Sequence, residues 1–223
     1  MKPLRKPPQK PAKAPARQSV ARQQSYHHGD LHDALLKAAE TVLERDGVQG
    51  LTLRAAAREA GVSHAAPTHH FGDMTGLLSE LAAVGFRRFG AALRDAASQQ
   101  HEPHARLDAM GMAYVTFARK YPGLFMLMFR SERLDFDRPA LRDAMIDSNT
   151  ALAAGVGAQL GEIVTPGRLT LAQAAEMVRV WSIVHGFAVL LLDHRLDRFL
   201  ALAPNGNPDG LLQAVLRGPP PRG

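Results

Sequence analysis

The chain has 223 residues, which is enough for one or two domains that each bury a hydrophobic core, and its hydrophobic fraction of 46% is ordinary for a globular protein. It contains no cysteine, which excludes a disulfide framework, thiolate zinc sites and a cysteine nucleophile. The formal net charge of +6 favours a nucleic-acid partner, so the location of the basic residues matters.

The basic residues concentrate at the N-terminus. Residues 1–29 contain seven Lys and Arg and neither Asp nor Glu, whereas the remainder is close to neutral. A segment rich in proline and lysine buries little apolar surface, so we expect residues 1–25 to form a disordered basic tail. Two roles stay open for this tail: contact with DNA phosphates, and a solubilising extension without a fixed partner. It has no apolar core of a signal peptide, so we expect a soluble, cytoplasmic protein.

A pattern of short helices follows the tail. Apolar residues recur at helical spacing from Leu31 until Gly47, which we expect to end the first helix. Thr52 is placed to cap a second helix, Gly61 to end it in the left-handed conformation, and Ser63 to cap a third. The inward face of the second helix consists of small or apolar residues: Leu53, Ala56, Ala57 and Ala60. Two short helices joined by so tight a turn and packed through alanines predict a helix-turn-helix.

Every later segment is also predicted to be helical. Helices are expected at 75–98, from about 103, around YPGLFMLMFR, at 139–160, at 170–194 and, for a turn or two, at 211–216. No stretch shows the alternation of a strand, so the predicted fold class is all-α. The longest strongly apolar segment, WSIVHGFAVLLLD, is too short to span a bilayer, so we expect no membrane partner. The predicted divisions are a tail at 1–25, a helix-turn-helix domain at 26–74, a second helical domain at 75–217 and a disordered C-terminus at 218–223.

Two stretches resemble a known family. LLKAAETVLERDGVQGLTLRAAAREAGVSHAAPTHHFGD resembles the DNA-binding domain of the TetR/AcrR family of transcriptional regulators, and the resemblance covers residues 30–78. Downstream, VWSIVHGFAVL is similar to the Trp-x-x-x-His-Gly signature of the WHG-type C-terminal domain in one subgroup. The resemblance implies a three-helix DNA-binding domain followed by a helical ligand-binding and dimerisation domain, in a protein that is not an enzyme.

The resemblance also implies which residues contact DNA. A recognition helix presents its N-terminal side chains to base edges in the major groove, and small residues there allow close approach. The positions that match base-reading residues of the family are Arg54, His64, Ala65 and Ala66. The positions at or beside phosphate contacts are Thr52, Thr68, His69 and His70, together with the N-terminus that Ser63 is expected to cap. Thr68 replaces the usual tyrosine and Met74 a frequent lysine, and each change is expected to remove a phosphate contact.

Methionine and aromatic residues concentrate in consecutive helices of the second domain. Methionine-rich walls adapt to varied apolar ligands, and pockets between helices are usual binding sites. The candidate ligand-binding residues are Met110, Tyr114, Phe117, Met126, Trp181 and His185. Plain core packing is the alternative role for each of them. Trp181 and His185 lie four residues apart and so share one helix face, where His185 can also satisfy a buried backbone carbonyl. Gly186 permits close approach of a second helix, which suits a dimer interface.

The histidines raise the possibility of a metal site. His28 and His32 have an i, i+4 spacing that can hold a metal, but no further ligand completes the pattern, so we expect no metal and no cofactor. We predict a homodimeric, ligand-responsive transcriptional repressor, released from a near-palindromic DNA operator by a small apolar effector. Two alternatives stay open: an all-α enzyme with a His-centred site at His185 or at the His28/His32 pair, and an architectural DNA protein that uses the basic tail alone.

Overall fold

The computed structural model describes residues 28–130, 132–203 and 205–218, with only the backbone described for 28–30 and 130. The predicted basic tail and almost all of the predicted C-terminal tail lie outside the described residues. The described residues form helices and no strand, which confirms the predicted all-α class. The helices are α1 (His28–Gly50), α2 (Leu53–Ala60), α3 (Ala66–Phe71), α4 (Met74–Ser98), α5 (Pro103–Lys120), α6 (Pro122–Arg130), α7 (Pro139–Leu160), α8 (Leu171–Leu192), α9 (Asp197–Leu202) and α10 (Pro208–Arg217).

Helix α2 begins and ends where the sequence predicts. The Thr52 hydroxyl accepts a hydrogen bond from the Ala55 N–H at 3.0 Å, which satisfies one of the free donors of the first turn. At the other end Gly61 has a φ of 68°, and the Val62 N–H donates back to the Ala57 carbonyl at 3.0 Å. This is a Schellman ending, which glycine favours because it has no Cβ. Val62 packs half-buried against the core and so fixes the turn toward α3.

Helix α3 does not begin as predicted. The expectation that Ser63 caps it is wrong, because α3 begins at Ala66 and its N-cap, Ala65, makes no side-chain hydrogen bond. If Ser63 were the cap, its hydroxyl would accept a hydrogen bond from the Ala66 N–H. That N–H donates instead to the Ser63 backbone carbonyl at 3.1 Å. Pro67 lies in the first turn, where its missing N–H costs no intrahelical bond and its ring favours the helical φ. A tight backbone turn and a proline therefore start this helix.

One large hydrophobic core extends along most of the described chain, and a second, smaller cluster of Ala153, Val156, Val164 and Val180 lies between the end of α7 and α8. The large core runs from Leu35 in α1 to Leu212 in α10, and α4 contributes to it along most of its length. α4 packs against α1, α3, α5, α6 and α7. Gly47, with φ 71° and ψ 179°, ends the regular part of α1 as predicted. The predicted division between residues 74 and 75 falls at the start of α4, and the core crosses it without a break.

Helix α8 has two apolar sides. Among the described residues it is the one helix that is long and apolar enough, by length and composition alone, to cross a membrane. Since it spans 22 residues, the expectation drawn from WSIVHGFAVLLLD, that the segment is too short, does not hold for the whole helix. One side buries Val180, Val184, Phe187 and Ala188 in the protein. The other side leaves Val178, Trp181 and Leu190 between 42% and 55% exposed.

The two hydroxyls beside the helix-turn-helix are expected to differ in their effect on stability. Thr52→Ala removes a cap and should lower the free energy of unfolding by about 1 kcal/mol. Ser63→Ala removes a hydroxyl that caps nothing and should change the free energy of unfolding by less than about 0.5 kcal/mol. Urea denaturation of both variants without DNA measures this difference. An equal loss in the two variants would contradict the structure of the α3 start.

Candidate DNA-binding surface and effector cavity

The predicted DNA-contacting residues gather on α2, on the turn after it and on α3. Seven of their side chains are exposed, those of Thr52, Arg54, Ser63, His64, Ala65, Thr68 and His69. Ala66 and His70 are half-buried. Arg54 makes no ion pair with any described residue, whereas nearby Arg45 is held by Asp46 at 2.9 Å and Glu59 at 3.0 Å. The exposed surface therefore offers an uncommitted cation next to small and hydrogen-bonding side chains.

The sequence HHF at the end of α3 divides its three side chains between solvent and core. Phe71 is buried and anchors α3, while His69 is exposed. His70 lies between them, with its ring centroid 6.1 Å from that of His32, which is itself 5.0 Å from the Phe71 ring. The side chain of His28 lies outside the described residues, so its predicted pairing with His32 stays a prediction. The described residues hold no cluster of three metal-ligating side chains.

The start of α4 adds a feature that sequence reasoning missed. The Asp73 carboxylate accepts a hydrogen bond from the Gly76 N–H at 2.8 Å and caps α4. An aspartate three residues before a glycine, at the beginning of an apolar helix, was the available signal. Met74 is half-buried against the core, so this position contributes packing to the α3–α4 junction.

A cavity of about 410 Å³ lies in the C-terminal part of the protein. Helices α4, α5, α7 and α8 form most of its wall, and α6 contributes Phe129. The apolar wall includes Phe86, Phe89, Met110, Phe129, Met177 and Val184. Polar side chains on the wall include His104, Asp108, Tyr114, Gln159 and Arg179. An apolar, aromatic wall with a few polar groups is the usual composition of a small-molecule site.

The structure brings half of the predicted ligand-binding residues to this cavity. Met110, Tyr114 and Trp181 line it. Phe117 does not, because its ring packs behind the wall at 5.3 Å from the Phe89 ring centroid. Met126 also lies off the wall, and Phe129, one helical turn further along α6, takes the place predicted for it. Helix periodicity shows that Met126 and Phe129 point in different directions from α6, but it does not show which of these directions leads to the cavity.

His185 lies behind Tyr114 rather than on the wall. Its Nδ1 atom is 2.8 Å from the Tyr114 hydroxyl, and the Trp181 Nε1–H donates to the same hydroxyl at 3.2 Å. Burial raises the pKa of Tyr114 far above its ordinary value, so the phenol is neutral and keeps its proton as a donor. Trp181 and His185, predicted to share a face, have ring centroids 5.6 Å apart. The three side chains hold α5 and α8 together at the cavity.

A carboxylate of α1 bonds to α6, the helix that contributes Phe129 to the cavity wall. Glu44 of α1 accepts hydrogen bonds from the backbone N–H groups of Gly123 and Leu124, both at 2.9 Å. These donors belong to the first turn of α6, where a negative charge is also favoured by the helix dipole. Arg88 of α4 forms a second link to α1 through its ion pair with Glu40. No sequence signal predicts the Glu44 contact, because nearly eighty residues separate its partners.

A helix-turn-helix on a helical body with an apolar cavity defines the class of ligand-binding transcriptional regulators. The sequence matches the profile described as "Bacterial regulatory proteins, tetR family" over residues 35–81. It also matches "Tetracyclin repressor-like, C-terminal domain" over residues 107–215. The chain therefore belongs to the TetR family of transcriptional regulators, as the sequence resemblance predicts.

Solved structures agree with this assignment. A Rhodococcus sp. RHA1 protein of unknown function is 38% identical, with a TM-score of 0.69 over 87% of this chain and 96% of that one. The transcriptional regulator FadR from Bacillus subtilis, in complex with stearoyl-CoA, is 14% identical, with a TM-score of 0.61 over 83% and 96%. The TetR-family regulator PfmR from Thermus thermophilus is 20% identical, with a TM-score of 0.53 over 82% and 97%. The last two show the fold alone. A search among curated protein sequences gave no match.

Proposed function

We propose that the protein is a homodimeric repressor that a small apolar effector releases from a near-palindromic double-stranded DNA operator. One observation carries this proposal: the helix-turn-helix and the cavity share a single hydrophobic core, so a molecule in the cavity can act on the DNA-binding helices. The stearoyl-CoA bound by FadR supports an effector with an apolar body. Action on chromosomal DNA implies a cytoplasmic location. The family and its structural neighbours are transcription regulators rather than enzymes.

The DNA-reading part of the proposal rests on α3 and the turn before it. His64 and Ala65 precede the first residue of α3 and are exposed, as is Arg54 in the first turn of α2. Their position matches the base-reading end of a recognition helix, and an alanine methyl can contact a thymine methyl. The groups proposed to contact phosphates are Thr52, Ser63, Thr68, His69 and, beside them, the half-buried His70. In a dimer, two α3 helices would enter successive major grooves about 34 Å apart.

Footprinting on the DNA that flanks the protein's own gene tests this part. Wild-type protein is expected to protect a short, near-palindromic site. Arg54→Ala should weaken that protection by roughly five- to 150-fold, because a base contact from arginine is typically worth about 1–3 kcal/mol. Arg198→Ala in α9 is the matched control, since it removes an equally exposed cation far along the chain from the helix-turn-helix. Equal effects of the two variants, or diffuse protection by wild type, would refute the proposed reading surface.

The dimer is proposed to form through the outer side of α8. Ser182, Gly186 and Leu190 recur every four residues and so lie along one side of the helix, and Val178, which also borders the cavity, precedes them at the same spacing. Val178 is 55% exposed and Leu190 44% exposed, which is unusual for such residues on a helix whose other side is core. A Cβ at Gly186 would meet no atom within 4 Å, so the backbone there is open to close approach. A second copy of the chain, packed by small and apolar residues, would bury this face.

Gly186→Arg tests the interface. The side chain has open space in a single chain, so the variant should fold, but a buried arginine should prevent the two α8 helices from approaching. Sedimentation is expected to show a monomer, and operator affinity should fall because the two half-sites are no longer bound together. Ala91→Arg, on an exposed position of α4, is the control and should stay dimeric. A dimeric Gly186→Arg variant would exclude this face.

Effector binding is proposed to reach the DNA-binding helices through α6. Phe129 near the end of this nine-residue helix lines the cavity, and its first turn donates to Glu44 of α1. We expect a helix this short to move as a rigid body. Displacement of Phe129 would therefore displace the Gly123 and Leu124 N–H groups that donate to Glu44. An effector needs only to bind more tightly to the displaced arrangement than to the DNA-bound one. Such coupling typically amounts to about 1–3 kcal/mol.

Glu44→Ala removes this link. It should leave the protein folded and able to bind the operator, while the effector-induced loss of DNA affinity becomes several-fold smaller. The measurement compares operator affinity with and without a fraction of cell-extract metabolites, chosen because it releases the wild-type protein from the operator. Glu102→Ala is the matched control, because Glu102 precedes α5 but its side chain makes no capping bond. An unchanged response in Glu44→Ala would show that another contact, such as the Glu40–Arg88 pair, carries the signal.

A further inference from the structure

The polar groups at the aromatic part of the cavity already have partners. An indole N–H only donates, so the Tyr114 oxygen accepts from Trp181. We assign the Tyr114 proton to the hydrogen bond with His185 Nδ1, at 2.8 Å. The phenol, the most obvious anchor for a ligand, is thus engaged as donor and as acceptor. The phenol proton is therefore not available to a polar ligand group.

The wall also carries a buried acceptor that lacks a partner among the described residues, the side-chain amide oxygen of Gln159 on α7. This atom, Oε1, is buried and accepts no hydrogen bond from any described residue. Gln159 and Met110 both line the cavity. One helical turn before Gln159, α7 approaches Met110 so closely that a Cβ atom at Gly155 would lie 2.7 Å from the Met110 sulfur. Buried acceptors are nearly always paired in folded proteins, so each exception needs an explanation. A donor on a bound molecule is the explanation that the cavity itself supplies.

The charges on the wall restrict the ligand further. The Arg179 guanidinium donates to Glu176 at 2.8 Å and 2.6 Å, which neutralises it. Hydrogen bonding to Glu176 raises the pKa of Arg179 and Arg179 in turn lowers the pKa of Glu176, so the pair stays ionised. Asp108 is half-buried on the wall and makes no ion pair with a described residue. Of the carboxylate and the guanidinium on the wall, only Asp108 lacks an ion-pair partner among the described residues, and its negative charge disfavours an anionic ligand.

From this combination we infer that the effector is an apolar molecule with a hydroxyl or amino group that donates to Gln159 Oε1, and with no carboxylate or phosphate. The inference rests on the proposed function, in which this cavity is the effector site. The apolar body would pack against the aromatic and methionine side chains of the wall. A carboxylate would set its oxygens against both the Gln159 carbonyl and Asp108, and neither contact is favourable.

Three probes with one apolar body separate the possibilities: 1-octanol, 1-methoxyoctane and octanoate. Trp181 is the sole tryptophan of the chain and lines the cavity, so its fluorescence reports binding to the full-length protein without DNA. Wild type should bind octanol about tenfold more tightly than the ether, since only octanol donates a hydrogen bond, and octanoate most weakly. In Gln159→Leu the octanol affinity should fall to that of the ether. Gln213→Leu, on an exposed position of α10, should keep the wild-type order.

Each outcome has a separate meaning. Loss of the octanol preference in Gln159→Leu alone supports the inference, provided that the melting temperature shows the variant to be folded. If wild type binds the ether as well as octanol, or octanoate best, the donor assignment is overturned while the proposed regulator stands. If wild type binds none of the probes but protects its operator normally, the effector role of the cavity is overturned and the inference with it. Absence of operator protection overturns the proposed function itself.

Discussion

Burial of α4 along most of its length is the constraint on which the other parts depend. Near its beginning, Leu77 and Leu78 are completely buried in the core that α4 shares with α1 and α3, so the recognition helix cannot shift independently of it. Further along, Phe86 and Phe89 form cavity wall and meet aromatic rings of α5 and α6. Because protein interiors are close-packed, a change in the cavity has to be accommodated by α4 and its neighbours. The reading surface and the cavity are therefore parts of one packed unit.

Hydrogen bonds from a charged group connect α1 specifically to α6, in addition to the packing of the shared core. The core joins many helices without distinguishing them, but the Glu44 carboxylate bonds specifically to the first turn of α6. Charge-assisted bonds to backbone N–H groups are stronger than neutral ones and depend on alignment. The other end of α6 brings Phe129 to the cavity. A nine-residue helix thus has one end at the proposed effector and the other at the helix that carries the DNA-binding unit.

The two functional surfaces use polar groups in opposite ways. On the proposed DNA-binding surface, Arg54 and His64 are exposed without an ion-pair partner among the described residues, which suits a partner that supplies its own phosphates and base edges. At the cavity, Tyr114 and Trp181 on the wall and His185 behind it satisfy one another, whereas the buried Gln159 oxygen has no partner among the described residues. Selectivity in such a cavity depends on the few polar groups that remain available, since the apolar wall accepts many shapes.

Local patterns in the sequence determined the helices, their ends at Gly47, Gly61 and Leu160, and the helix-turn-helix, because caps and periodicity act over a few residues. The resemblance to the TetR family came from the same local stretches. Only the tertiary structure decided which side of each helix faces the cavity, so that Phe117 and Met126 lie off its wall while Phe129 and Gln159 lie on it. It also decided the Glu44 contact with α6 and the backbone start of α3. Such choices depend on packing between residues far apart in the chain, which no local spacing encodes.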